Sequence, residues 1–216
     1  MTTDKKALKI LEEVDAIVTN DHFVYTSGKH GSVFVRKDRL YPHTKLTGKI
    51  CQMIAKKVQD LPIDVVVGPS ICGIVLSQWV AYHLSVLKKK EVLSVFTEKT
   101  IGGTDGLDTM QVFKRGYDGF IEGKNVLVVE DVTTTGSSAK KVIDRVRSVG
   151  GNVIMTCVMV NRNPNDVNEQ TMGAPFCSLS VLKADAYEEA VCPLCAKGIP
   201  VNTEVGHGKE YLKHKS

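Results

Sequence analysis

Residues Val126–Ser138 read VLVVEDVTTTGSS, and this run constrains the chain more than any other. Val126–Val129 is an apolar strand, Glu130 and Asp131 stand at its carboxyl end, and Val132–Ser138 passes through hydroxyls and a glycine into a helix. A helix N-terminus offers free N–H groups and roughly half a unit of positive charge, which suits a phosphate. Gly136 allows close backbone approach and a positive φ. Thr133, Thr134, Thr135, Ser137 and Ser138 can donate to phosphate oxygens, while two adjacent carboxylates can accept from paired sugar hydroxyls. Helix capping by Ser137 or Thr135 and a solvated strand end would explain each residue singly. They do not explain the whole series at one strand–helix junction. The Gly-Lys-Ser/Thr ending of a nucleotide P-loop is absent, as is a Gly-x-Gly-x-x-Gly run after a strand.

The surrounding chain repeats the strand-to-helix pattern. Asp64–Val67 is an apolar strand ending at Gly68-Pro69, followed by an apolar helix over Gly73–Leu87 that contains Trp79 and His83. Val92–Phe96 is the next strand. After Asn125–Val129 a helix runs from about Ser137 to Val149, with Ala139, Val142, Ile143 and Val146 on one face and Gly150-Gly151 as its stop. Val153–Val160 is a further buried strand. Strands alternating with helices predict an α/β domain with a central parallel sheet flanked by helices, and its ligands at the carboxyl ends of strands. Ahead of this region, Ala7 to Val18 recur at helical spacing, Asp21–Arg36 reads as a hairpin with a polar tip, and Leu46–Val58 marks a second helix. Thr97–Lys124 is rich in Gly, Asp and Thr and is expected to be a lid or a disordered loop.

At 216 residues, one domain with a small accessory lobe is expected. The formal charge of +4 is too small to indicate a nucleic-acid partner. The polar start Met1–Lys9 lacks the core of a secretory signal, and no apolar run suits a bilayer. Six scattered cysteines suggest reduced thiols, so a cytoplasmic chain without a membrane partner is expected.

The central run resembles the signature of the type I phosphoribosyltransferases: four apolar residues, two acids, a short variable stretch, Thr-Gly and small hydroxyl residues. The resemblance implies that Glu130 and Asp131 bind the ribose hydroxyls of phosphoribosyl pyrophosphate and that Thr133, Thr134, Thr135, Gly136 and Ser137 cradle its 5′-phosphate. Val65–Ile74 (VVVGPSICGI) is similar to the pyrophosphate loop, which implicates Pro69, Ser70, Cys72 and Gly73. Three features resemble the orotate branch. Phe23, Ser27, Gly28 and Lys29 match a hairpin that hoods the base. Glu98-Lys99 matches the position of a lysine that contacts the diphosphate. Asn161-Arg162 stands where an acid-arginine pair places an arginine on the orotate carboxylate, a task suited to a guanidinium fork. Cys72 departs from the usual lysine of the pyrophosphate loop, and Gly31-Ser32 departs from the usual Ser-Pro of the hood. Thr100–Met110 offers Gly102, Gly103, Asp105 and Asp108 in place of a basic catalytic loop, so Lys114 and Arg115 are expected to join Lys99 in meeting the pyrophosphate charge.

The resemblance implies Mg²⁺ as cofactor, a nucleobase (orotate first) as co-substrate, and a homodimer. A purine base, or a regulator that senses phosphoribosyl pyrophosphate without turnover, is the alternative. Residues 1–190 are expected to form the transferase domain, including the hood hairpin 21–36, with 191–216 as a tail. In that tail Cys192-Pro193-Leu194-Cys195 reads as two reduced cysteines ahead of a zinc knuckle, for which Cys177, His207 and His214 are the candidate partners. No residue is assigned as a metal ligand. Contact between His30 and substrate is not favoured.

Overall fold

A computed structural model describes residues 5–25, 27–102 and 108–215, with only the backbone at Gly102 and Asp108. Gly103 and Asp105 of the expected loop lie outside the described residues. The chain runs α1 (Lys5–Glu13), β1 (Ile17–Val24), β2 (His30–Val35), α2 (Thr44–Val58), β3 (Val65–Pro69), α3 (Cys72–Lys88), β4 (Leu93–Gly102), β5 (Asp108–Val112), β6 (Asn125–Thr133), α4 (Ser137–Ser148), β7 (Asn152–Asn161), α5 (Glu169–Met172), β8 (Phe176–Val181), α6 (Pro193–Ala196) and α7 (Gly208–Lys215). The central sheet has the order β5-β4-β3-β6-β7-β8. All its pairs are parallel except β4 with β5.

The period of two along each strand sorts the core into two layers. On one face Val66, Leu127 and Val129 pack with Ile50 and Ile54 of α2 and Leu76 and Val80 of α3. On the other, Val65, Val67, Val126 and Val128 pack with Val142, Ile143 and Val146 of α4. Strands buried on both sides read as continuous apolar runs, which is how β3 and β6 stood out in the sequence. Burying a side chain such as Leu127 or Ile143 contributes about 1.5–3 kcal/mol.

Three expectations are corrected and one strand was not foreseen. Ile17 and Val18 do not continue the first helix. Asp15 takes a φ of 52° and the Ala16 N–H bonds the Leu11 carbonyl, so the chain turns and Ile17 enters β1 opposite Val35. The stretch 97–124 is not a simple lid. Strand β4 runs on to Gly102 and β5 pairs back along it from Asp108 to Val112, after which Ile121 is fully buried. Its glycine-rich composition hid a hairpin arm. Strand β6 also extends past the apolar run to Thr133, so Glu130 and Asp131 lie within it. Finally, β8 was not recognised. It is the edge strand beside β7, with Cys157 opposite Cys177.

Strands β1 and β2 form a separate antiparallel pair with a bulge between Thr19 and Phe23. The tail lies against this pair. Asn202 N–H bonds the His22 carbonyl, His207 N–H bonds the Val24 carbonyl, and Tyr187 and His30 exchange backbone hydrogen bonds. The hood is therefore built from both ends of the chain.

Candidate functional site

The sheet order explains where a crevice opens. From β3 the chain passes through α3 to β4 on one side, while β6, on the other side of β3, leads through α4 to β7. Helices α3 and α4 cover opposite faces. The loops leaving the carboxyl ends of β3 and β6 must therefore diverge, and ligands of such sheets bind in the gap. A cleft of about 620 Å³ lies there. It is lined by Pro69, Ser70 and Cys72, by Lys99, by Glu130 through Ala139, and by Tyr25, Ser27, Lys37 and Arg162.

At the β6 end Asp131 is 1% exposed. Its Oδ2 lies 2.9 Å from Lys37 Nζ and accepts a 3.4 Å hydrogen bond from Tyr41 Oη, while its Oδ1 accepts from the Val132 N–H. Glu130 Oε1 accepts from the Asp131 N–H at 3.0 Å. Burial, reinforced by the neighbouring Asp131 charge, pushes the Glu130 carboxyl well above the usual carboxylate range. Burial lowers the basicity of Lys37, but the Asp131 charge outweighs it and holds the ammonium protonated beyond the ordinary lysine range. Burial and then Asp131 push the Tyr41 hydroxyl upward too.

Beyond β6, Gly136 is the N-cap of α4 with a φ of 76°, and no side chain caps the helix. The Ser137 N–H makes only a long, 3.4 Å contact to Thr135 Oγ1. Among the described residues no side chain of the N-cap closes this helix start, and apart from that long contact the first N–H groups of a twelve-residue helix stand at the cleft. Thr133 Oγ1 is buried with no hydrogen-bond partner among the described residues. At the β3 end a Cβ on Gly68 would stand 2.2 Å from the Gly73 carbonyl oxygen, so the glycine pair lets the strand end and the helix start touch. Burial, then the Asp131 charge, pushes the Cys72 thiol up to about 11, with Lys37 opposing.

Alternation along β4 separates two neighbours. Lys99 lines the cleft, whereas Glu98 is ion-paired with Lys114 at 3.2 Å and with Arg115. Those two cations, expected in the site, are absent from its lining and engaged elsewhere. Lys29 lines an adjoining hollow of about 400 Å³ that shares Ser27, Thr134, Thr135 and Arg162 with the cleft. Its Nζ is 3.1 Å from Glu188.

Arg162, at the end of β7, is 5% exposed. Its guanidinium sits 4.1 Å from the centroid of the Tyr25 ring, and it donates to the Val33 carbonyl at 2.9 Å. A desolvated contact of this kind is worth about 2 kcal/mol. Its Nε is buried without a partner among the described residues, a donor that calls for an acceptor.

Lys37, Tyr41, Gln111 and Lys141 were missed in the sequence. Lys141 carried a readable signal: it follows Ser137 by four residues, so it shares the face of the helix start. Its Nζ bonds Thr109 Oγ1 at 3.1 Å, tying α4 to the β4–β5 arm. Lys37 had no local signal, because its partner Asp131 is 94 positions away. The whole lining combines cations, an open helix N-terminus and two buried carboxylates, which suits a polyanion that carries a diol.

A family model described as a phosphoribosyl transferase domain matches residues 37–185. The chain is 34% identical over 197 residues to an orotate phosphoribosyltransferase of Caldanaerobacter subterraneus subsp. tengcongensis, covering 91% of this chain and 94% of that one. It is 35% identical over 197 residues to the enzyme of the same name in Thermoanaerobacter sp. (strain X514), at 91% and 94% coverage. Its fold is similar to the crystal structure of Mycobacterium tuberculosis H37Rv orotate phosphoribosyltransferase, with a TM-score of 0.60 and 21% identity, covering 82% of this chain and 96% of that one.

Proposed function

The chain belongs to the phosphoribosyl transferase domain family, and we propose that it transfers the 5-phosphoribosyl group of phosphoribosyl pyrophosphate to a ring nitrogen of orotate, releasing pyrophosphate. The observation that carries this reading is the crevice between β3 and β6, where an uncapped helix N-terminus stands beside the buried pair Glu130–Asp131. The N–H groups at Gly136 and Ser137 and the hydroxyls of Thr133, Thr134 and Thr135 bind the 5′-phosphate. Glu130 and Asp131 accept from the ribose hydroxyls. Pro69, Ser70, Cys72 and Gly73 follow the pyrophosphate.

The carbon–oxygen bond at the sugar C1 breaks early, giving oxocarbenium character. The protein's task is to hold both partners in line and to neutralise the departing diphosphate. Lys99 meets that charge from β4, with Lys141 supporting the phosphate side from α4. Lys114 and Arg115 are left out of this step, since both pair with Glu98. Arg162 offers the orotate carboxylate its Nε, a donor without a partner among the described residues, and Tyr25 and Ser27 roof the base.

The donors also fit Mg²⁺. Among the described residues no third metal-binding side chain converges with Glu130 and Asp131, and Asp131 is engaged by Lys37. That would suit a largely hydrated ion placed by Glu130 and Asp131 through the ribose hydroxyls they hold. Bound there, Mg²⁺ supplies charge neutralisation on the diphosphate.

A homodimer and a cytoplasmic setting belong to the same reading. Tyr82 and Val86, four apart on α3, are 57% and 60% exposed, which supports pairing with a second copy. All six cysteines are free, and no helix among the described residues is long and apolar enough to cross a membrane.

The test is direct. The protein is incubated with Mg²⁺, phosphoribosyl pyrophosphate and, separately, orotate, uracil, adenine and hypoxanthine, and pyrophosphate is measured. Release with orotate alone is expected. Release with a purine instead would reassign the base, and tight binding without release for any base would make the chain a sensor.

A further inference from the structure

Four potential ligand atoms meet where the tail crosses the hood. His22, His30, Cys192 and Cys195 place their ligand atoms all within 4.8 Å of one another. His22 comes from β1, His30 opens β2, and the two cysteines flank the start of α6. Three of the four are essentially inaccessible: His30 is 0%, His22 1% and Cys192 2% exposed. Two imidazoles and two thiols are thus enclosed together, and because thiols are weak hydrogen-bonding groups, an ion at the centre satisfies the four donor atoms better than they satisfy one another.

The separations have the size of a tetrahedron's edges. Cys195 Sγ lies 3.3 Å from His30 Nδ1 and 3.8 Å from His22 Nε2, and Cys192 Sγ lies 3.9 Å from His22 Nε2. Zinc bonds of about 2.3 Å to sulfur and 2.0–2.1 Å to nitrogen give S···N edges of about 3.5 Å. The two ring nitrogens, His22 Nε2 and His30 Nδ1, are 2.8 Å apart, so they need only spread slightly. The tautomer is already set on one side. His22 Nδ1 lies 2.7 Å from the Ile199 carbonyl oxygen, which can only accept. The proton is therefore on Nδ1, and the Nε2 lone pair faces the cluster, the backbone carbonyl orienting the ring as such carbonyls do for metal-bound histidines.

We propose that His22, His30, Cys192 and Cys195 hold one structural zinc ion that staples the C-terminal tail to the hood. The site is closed, with four protein ligands and no open position, so its role is mechanical. Two thiolates and two imidazoles select zinc over the hard cation of the catalytic cleft. His22 and His30 bracket the hood tip, whose Tyr25 and Ser27 line the cleft and whose Lys29 lines the adjoining hollow. The ion therefore fixes both feet of the tip to the tail. Cys177, His207 and His214, the partners suggested by the sequence, are not in the cluster. Their place is taken by two histidines eight residues apart on facing strands.

The metal claim is independent of the transferase reading and is tested without substrate. The full chain, purified without a metal-affinity step and dialysed, is expected to carry one equivalent of zinc by mass spectrometry. Exchange with Co²⁺ should give the strong visible bands of a four-coordinate centre and a thiolate charge-transfer band in the near ultraviolet. Cys195→Ser should weaken that band. If the variant does not fold, the wild-type spectrum alone decides. Substoichiometric zinc after reconstitution, together with the weak spectrum of six-coordinate cobalt, would overturn the site. The clamp, which does rest on the transferase reading, predicts that stripping the metal raises KM for the base several-fold and leaves phosphoribosyl pyrophosphate binding intact. An unchanged KM in stoichiometrically stripped protein would overturn the clamp.

Discussion

Lys37 Nζ lies 2.9 Å from Asp131 Oδ2, joining the residue that follows the hood to the buried rim of the crevice. Asp131 is almost fully enclosed while Lys37 keeps 39% of its side chain exposed, so the pair is a buried acid held by a half-exposed cation. Lys37→Met leaves that acid uncompensated. Losing a fully buried partner costs about 3–5 kcal/mol. Because solvent reaches Lys37, about 1–2 kcal/mol is expected here. The raised folded-state pKa of Lys37 makes its contribution fully present below about 10.4 and lost only as pH rises through the folded value. Urea denaturation at pH 6 and pH 9 should therefore give the same loss, and a difference that shrinks markedly by pH 9 would contradict the pairing.

Glu130→Gln should separate stability from function. The folded carboxyl is raised by burial and by Asp131. The sign follows: its contribution is fully present below the unfolded value near 4.3 and is lost as pH rises toward the folded one. The amide removes this liability, so thermal midpoints should rise at pH 8 and stay unchanged at pH 4. Phosphoribosyl pyrophosphate affinity should fall by about 3–10-fold, the worth of one neutral hydrogen bond to the ribose. Calorimetry of binding and of unfolding on one preparation checks both.

Arg162→Ala should act on the base. Its guanidinium is fixed by the Tyr25 ring and the Val33 carbonyl, with Nε awaiting an acceptor. Loss of a charged pair across the site should raise KM for orotate by about 10–100-fold. KM for phosphoribosyl pyrophosphate should move far less. Equal changes in both constants would remove Arg162 from base recognition.

Lys99→Ala and Lys114→Ala should differ sharply although both lie on the β4–β5 arm or just beyond it. Lys99 lines the cleft, and Lys114 pairs with Glu98 outside it. Lys99→Ala should lower kcat by about 10²-fold or more, the scale of one electrostatic stabiliser of a developing charge. Lys114→Ala should leave kcat within about threefold, as for a surface substitution. Steady-state kinetics on the two variants decides, and a collapse of kcat in Lys114→Ala would return that residue to the site.

The central strands and the turn from β6 into α4 were legible because their information is local. A run such as Val126–Val129 can be satisfied only by burial on both faces, and a glycine beside hydroxyls at a strand–helix junction has few other uses. Val66, Leu127 and Val128 fell into layers by period alone. The β4–β5 arm was not legible, because Gly, Asp and Thr serve loops and twisted hairpins alike. Pairing of Glu98 with Val112 is a long-range fact.

By itself, the sequence determined the α/β class, the glycine-containing strand–helix turn and its two acids, since each rests on contacts within about a dozen residues. Only the tertiary structure decided which cations face the crevice, that Lys37 guards Asp131, and that His22 and His30 meet Cys192 and Cys195. Strand alternation sends Glu98 and Lys99 to different surroundings, and closure of the tail on the hood joins residues 170 positions apart. Side-chain chemistry names what a residue can do, but the meeting of distant chain segments chooses its partner.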